Sequence, residues 1–236
     1  LHNIERADDL KLHPLAYRAE TLAELTDVAV QYGDAPVVEG VRLTVRRGAR
    51  IALTGRNGSG KSSLLKLIAG QDIPHTGTVR LGSGLIVSYV PQDASFLSGS
   101  LSVYAEACGI DRTLFFAILR KLDFARVQFE KDMADYSAGQ KKKVLLARSL
   151  CEQAHLYLWD EPLNYIDVFS RMQIEQLLTA YQPTLLFVEH DRAFCGKIAT
   201  ETVRLLVFTP RVPHRPPPST RGHSDSPNSP RDARIH

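Results

Sequence analysis

The sequence is short of several features that define other protein classes. It has three cysteines, Cys108, Cys151 and Cys195, far apart and without a CxxC spacing. Such a set excludes a disulfide framework or a cysteine-rich zinc site, and fits small packing residues in a reducing cytoplasm. No run approaches the roughly 18 consecutive apolar residues that a membrane helix needs. The start also lacks a signal-peptide pattern. Methionine is scarce: Met133 and Met172 are the only two, and the chain opens on Leu1, which reads as the end of a fragment. One-signed charge is missing too. The net charge is +3, and the segment from Pro210 onward, with five arginines and two aspartates, accounts for all of it. The rest of the chain is balanced, so composition excludes a strongly basic nucleic-acid binder.

What is present fits one α/β domain with extensions. The length is 236 residues and 44% of them are hydrophobic, enough for a full core. Residues 1–21 are polar and mixed, with Arg6 to Leu10 helical in pattern before Pro14, and read as the trailing end of a linker. Residues 22–208 alternate strand-like apolar runs with amphipathic helices, which predicts a mostly parallel sheet. Residues 209–236 hold seven of the thirteen prolines. That composition predicts a disordered tail. Strands are expected at Val41–Val45, Arg50–Leu53, Thr78–Leu81, Ile86–Val90, His155–Trp159 and Thr184–Val188. Helices are expected at Lys61–Ala69, Arg112–Leu122, Gln140–Glu152 and Ser170–Tyr181.

The strongest chemical signal is Gly55-Arg56-Asn57-Gly58-Ser59-Gly60-Lys61-Ser62, which fits GxxxxGK[ST] between a strand and a helix. Its glycines let backbone N–H groups approach a phosphate, and the following helix turns its positive end to the same anion. Lys61 would reach the β- and γ-phosphates of ATP, and the Ser62 hydroxyl would ligate Mg²⁺. The second signal is an apolar strand ending in Asp160 and Glu161. Asp160 is the expected Mg²⁺ holder and Glu161 the expected general base toward water. Between the two lies Tyr136-Ser137-Ala138-Gly139-Gln140-Lys141, opening a helix. Lys141, Lys142 and Lys143 read as a solvated helix face, with contact to RNA phosphates as the other reading.

Taken together, these motifs resemble the ATP-binding cassette proteins. The 137–140 segment resembles the family's LSGGQ signature, with Ala138 in place of a glycine. The resemblance implies a P-loop NTPase of cassette type, with a helical subdomain carrying the signature. It implies ATP binding by Gly55, Asn57, Gly58, Ser59, Gly60, Lys61, Ser62 and Ser63, with Tyr32 stacking on adenine. Ser137, Gly139 and Gln140 would grip the γ-phosphate held by a second, facing cassette. Gln92 resembles the Q-loop glutamine, a sensor of Mg²⁺ and water, and His190 the switch histidine. Leu163 to Asp167 resembles the D-loop, which crosses the dimer seam.

The run Asp160-Glu161-Pro162-Leu163-Asn164-Tyr165-Ile166-Asp167 resembles the EPTNHLD run of ABC-F proteins, soluble twin-cassette proteins that act on ribosomes. The stretches 136–176 and 187–194 are similar to the subgroup that protects ribosomes against lincosamides, streptogramin A and pleuromutilins. The resemblance covers residues 3–206 and implies the second cassette. Three departures stand out: this chain has one cassette, most of the linker is missing, and the tail does not resemble the family. Two other readings remain at this level: the ATPase subunit of a membrane transporter, and a non-hydrolysing module whose nucleotide site only controls shape.

Overall fold

The computed structural model describes residues 10, 12, 14–33 and 35–206. The apolar runs become inner strands. β6 (Leu156–Asp160) and β7 (Leu185–Val188) are buried at every position, as parallel strands covered on both faces must be. They are joined by β3 (Arg50–Thr54), β5 (Val87–Val90) and β8 (Glu201–Arg204). The sheet order is β5-β6-β7-β3-β8, and each pairing is parallel.

A second sheet is antiparallel. It contains β1 (Thr21–Tyr32), β2 (Ala35–Arg46) and β4 (His75–Leu81) in the order β2-β1-β4. The expectation of a mostly parallel core holds for the first sheet, but this second sheet was not anticipated. Its strands are broken by register shifts between Leu25 and Val30, where Asp27 takes a left-handed φ of 50°. A bulge resets the in–out alternation, and that hides the strand from a period-two reading.

Helices cover the parallel sheet: α1 (Lys61–Ile68), α2 (Leu101–Ala107), α3 (Arg112–Lys121), α4 (Ala138–Cys151), α5 (Val168–Tyr181) and α6 (Arg192–Ile198). Of these, α2 and α6, like strand β8, are too short to leave a strong periodic signal. Five of the six helices start on a side-chain cap that local sequence supplies. Ser100, Asp111, Ser137, Asp167 and Asp191 accept from Val103, Leu114, Gln140, Ser170 and Phe194 N–H respectively. Such caps contribute about 1 kcal/mol each. Because Ser137 is the cap, α4 begins at Ala138, two residues before the expected start.

The pleat of the inner strands divides the interior in two. Leu156, Leu158, Leu186 and Val188 face the antiparallel sheet and α1, among Val28, Val45, Leu64 and Ile68. Tyr157, Trp159, Leu185 and Phe187 face the helical side, among Phe115, Ile118, Leu146 and Phe194. Alternate residues thus serve opposite cores, which locks the register of the strands that carry the site. Burying each large apolar side chain contributes about 1.5–3 kcal/mol.

One expectation changes here. The lysine run is neither a solvated face nor a patch for RNA. Lys142 is 1% exposed and Lys143 8%. Lys142 Nζ donates to the carbonyls of Pro91 (3.0 Å) and Gln92 (2.8 Å). Lys143 pairs with Asp167 at 2.6 Å, and Lys141 donates to the Ser95 carbonyl at 3.1 Å. Buried ammonium groups need such partners. Residues 14–20 run along the domain: Leu15 N–H donates to Ala154 O (2.8 Å), and Tyr17 is buried and donates to Ser83 O (2.9 Å). The helical pattern at Arg6–Leu10, apart from Leu10, and the tail at 209–236 lie outside the described residues.

Candidate nucleotide-binding site

The chemistry-bearing residues sit where the topology collects ligands. β3, β5, β6 and β7 run parallel, so the segments that follow them emerge on one rim of the sheet. The 55–60 loop leaves β3, Gln92 follows β5, Asp160 and Glu161 close β6, and His190 follows β7.

The loop after β3 needs its glycines. Gly58 and Gly60 have left-handed φ of 78° and 82°, a region that side chains disfavour. A Cβ on Gly60 would stand 2.8 Å from Val38 Cγ1, and one on Gly55 would stand 2.7 Å from Leu205 O and 2.8 Å from Ser59 Oγ. Gly60 is also the N-cap of α1 and offers no side-chain acceptor. The first N–H groups of α1 therefore lack a side-chain cap, as an anion site requires. Lys61 is buried and its ammonium folds back onto the carbonyls of Gly55 and Arg56, both at 3.0 Å. Tyr32 is about half exposed at the loop's edge, and its hydroxyl donates to Ser63 Oγ at 3.1 Å.

Asp160 and Glu161 are neighbours with different environments. Asp160 is 1% exposed, and among the described residues neither of its oxygens has a hydrogen-bond partner. Burial pushes its pKa up, with the nearby Ser62 hydroxyl pulling it down, Glu161 adding to the rise and Lys142 opposing it. An orphaned, buried carboxylate beside a hydroxyl and a phosphate-type loop fits the hard oxygen donor set of Mg²⁺. Ser59 Oγ in the loop is likewise buried without a partner.

Glu161 gathers the other candidates. Gln92 Nε2 donates to its Oε2 at 2.8 Å, and Asn164 Nδ2 donates to the same oxygen. His190 Nε2 lies 3.4 Å from its Oε1. Glu161 holds a left-handed φ of 46°, a strained backbone of the kind that clusters at functional sites and costs about 1–3 kcal/mol. The three residues expected to be catalytic thus meet on one carboxylate.

The signature segment stands apart from this group. Ser137 Oγ accepts from Gln140 N–H (3.2 Å), and Gln140 Oε1 accepts from Ser137 N–H (3.0 Å), a capping box. Gly139 packs against the 163–167 loop: a Cβ there would lie 2.3 Å from Tyr165 O. No bond links Ser137, Gly139 or Gln140 to the loop at 55–62 among the described residues. A cleft lined by Gln92, Ser95, Tyr136, Ala138, Lys141 and Tyr165 separates the Q-loop from the signature.

Three contributors are not marked by the sequence motifs. Asn164 lies within the 163–167 loop motif and binds Glu161. Lys142 has a surface residue's composition and holds the Gln92 backbone. Glu189 is buried beside His190 and accepts from the His190 N–H at 2.7 Å. Its place immediately before the histidine was the available signal.

The fold and the glycine loop define a P-loop nucleotide-binding domain of α/β type. The profile of a family described as ABC transporter matches residues 38–164, more than half of the chain. The chain belongs to this family, as an ABC ATPase domain. Among curated proteins it is 32% identical over 193 residues to the ATP-binding protein Uup of Caulobacter vibrioides, covering 78% of this chain and 32% of that one. It is 27% identical over 201 residues to the energy-dependent translational throttle protein EttA of Escherichia coli K12, covering 82% and 36%. The chain thus spans about a third of the length of these relatives. A solved bacterial Atm1-family ABC exporter with ATP bound shares the fold, with a TM-score of 0.70 at 18% identity over 83% of this chain and 38% of that one. Among the described residues no helix is long and apolar enough to cross a membrane.

Proposed function

We propose that this domain binds Mg-ATP on the β3–α1 loop and hydrolyses it when a second cassette faces it. One observation carries the reading: Gln92, Asn164 and His190 converge on Glu161, beside an Asp160 whose oxygens are buried and unpartnered. Lys61 would exchange its two backbone carbonyls for phosphate oxygens, and the uncapped N–H groups at the start of α1 would take the rest. Ser62 and Asp160 would hold Mg²⁺, with Gln92 at its edge. When bound, the metal would neutralise charge on the β- and γ-phosphates. Glu161 would take the proton of the attacking water, oriented by Gln92 and Asn164, and His190 would steady the γ-phosphate. Tyr32 would lie along the adenine.

A second cassette is part of the reading because Ser137 and Gly139 do not reach this chain's own loop. Tyr165, Val168, Phe169 and Met172 leave large apolar surface exposed next to the signature, which suits a face that a partner covers. We place the chain in the ABC-F branch, as the second cassette of a cytoplasmic protein that acts on the ribosome and protects it from antibiotics. The 160–167 run and a relative named as a translational throttle support the branch and the ribosome, and the likeness of 136–176 and 187–194 to the protection subgroup supports the protective role. The test is fractionation of a two-cassette protein containing this chain with Glu161→Gln, trapped closed by ATP. Co-sedimentation with ribosomes is expected. Recovery with membranes would favour a transporter subunit and overturn the branch.

A further inference from the structure

We propose that Glu189 is a positioning residue that joins the D-loop to the histidine loop, so that the two move as one unit. This rests on the nucleotide-site reading above, which has no role for Glu189. The residue lies between the end of β7 and His190 and is 7% exposed. A carboxylate so enclosed needs donors, and losing one leaves an uncompensated buried group. It has three, all backbone N–H groups. Oε1 accepts from His190 at 2.7 Å and from Asp191 at 3.3 Å. Oε2 accepts from Leu163 at 3.2 Å. One oxygen therefore serves the histidine loop and the other the D-loop.

A second tie runs in parallel. The D-loop ends on Asp167, which caps α5 and pairs with Lys143 of the signature helix α4. One turn into α5, Arg171 donates from two guanidinium nitrogens to the Asp191 carboxylate, Nη2 to Oδ1 at 2.9 Å. Its Nε donates to Glu175 Oε1 at 3.0 Å, and Lys197 donates to Glu175 Oε2 at 2.8 Å. The histidine loop is thus held at Glu189 from the front of the D-loop and at Asp191 from behind it. Both loops also meet at one carboxylate: Asn164 donates to Glu161 Oε2, and His190 Nε2 lies 3.4 Å from its Oε1. A push on the D-loop at exposed Tyr165, where a facing cassette would press, is carried to the His190 backbone through the Glu189 carboxylate.

Amide hydrogen exchange in the nucleotide-free chain tests this. In Glu189→Gln the new NH₂ group cannot accept, so one of the two oxygens is lost as an acceptor. The Leu163 or the His190 amide should exchange about 10-fold faster or more, while the other keeps its protection. In Glu189→Ala both should rise. Loosening the D-loop with Tyr165→Gly should speed His190 exchange in the parent and do so clearly less in the Glu189→Ala background, where only the Arg171–Asp191 tie remains. Protection in α1 and β3 should stay at parental levels in every case. Parental rates at both amides in both Glu189 variants would overturn the proposal. So would an equal rise across α1 and β3, or the same Tyr165→Gly effect with and without Glu189. Because the readout needs no ATP, failure of the nucleotide reading and failure of this joint are separate results.

Discussion

Helices α1 and α4 both present their N-termini where the family resemblance expects phosphate, yet they begin in opposite ways. α1 starts on Gly60, left-handed and with no side-chain cap. α4 starts on Ser137 inside a capping box that satisfies two backbone N–H groups from within. The first end is unfinished without an anion; the second is stable alone. The difference suits a domain that keeps one nucleotide site of its own and lends half of another. An uncapped helix start binds a phosphate with little to displace. A self-capped start holds its shape until a partner brings the phosphate, and the Ser137 hydroxyl proton is then still free to donate. The surroundings differ in the same sense. The loop at 55–60 is enclosed by Val38 and Leu205, whereas the signature leans on the D-loop through Gly139.

Substitutions sharpen this contrast. The largest effect belongs to the hydrolytic group on the α1 side. Glu161→Gln keeps size and a hydrogen-bonding end but loses the base. In a two-cassette protein, phosphate release should fall about 100- to 10,000-fold while ATP affinity stays within a factor of a few. Turnover at the parental rate would remove Glu161 from that role.

On the α4 side, Gly139→Ala should be the most disruptive change. Its Cβ would meet Tyr165 O at 2.3 Å, so the D-loop must move away. Thermal denaturation should show a loss of about 1–3 kcal/mol, with ATP affinity of the isolated chain unaltered. An unchanged melting temperature would mean that the two segments are not in contact.

Ser137→Ala removes a cap that α1 does not have. The expected cost is about 1 kcal/mol of stability, again without effect on ATP affinity in the isolated chain. A loss of affinity there would show that the signature serves the chain's own nucleotide, and the contrast between the two ends would fall.

The smallest effect is a pH dependence confined to the α4–α5 junction. Burial pushes the Asp167 carboxyl up, but Lys143 and the Ser170 N–H and hydroxyl outweigh it and hold its pKa down at about 2. An unfolded aspartate titrates near about 3.9. The stabilisation is therefore complete above about pH 4 and is lost as pH falls through about 2. Acid denaturation of Lys143→Met should show less stability lost over that window than the parent. Identical acid limbs would detach Lys143 from Asp167.

The two ends also differ in how much of them the sequence disclosed. The 55–62 loop was legible because its requirements are local: glycines at left-handed positions, a lysine and a hydroxyl at fixed spacing, a strand before and a helix after. The rim was legible at Asp160 and Glu161, because they close an apolar run that folds as a parallel strand, and at Gln92 and His190 through the family resemblance. What could not be read is set by packing between distant segments. Lys142 has the composition of a solvated residue, and only the approach of the Pro91–Gln92 carbonyls makes its place an interior one. Glu189 and Asn164 act across a gap between loops that no spacing encodes. The antiparallel sheet was obscured by bulges near Asp27, which break the alternation that identifies strands.

The most direct test of the account follows backbone amides of the dilute chain by NMR as Mg-ATP is added. The resonances of Gly58 to Ser62 should shift and saturate, while those of Ser137 to Gln140 stay at their nucleotide-free positions until a partner cassette is supplied. Lys61→Ala should weaken the first response about 10- to 100-fold, the value of charge-assisted bonds to phosphate. Shifts at Ser137 to Gln140 without a partner, or none at Gly58 to Ser62, would contradict the assignment of α1 as the chain's own nucleotide site and α4 as the half it lends.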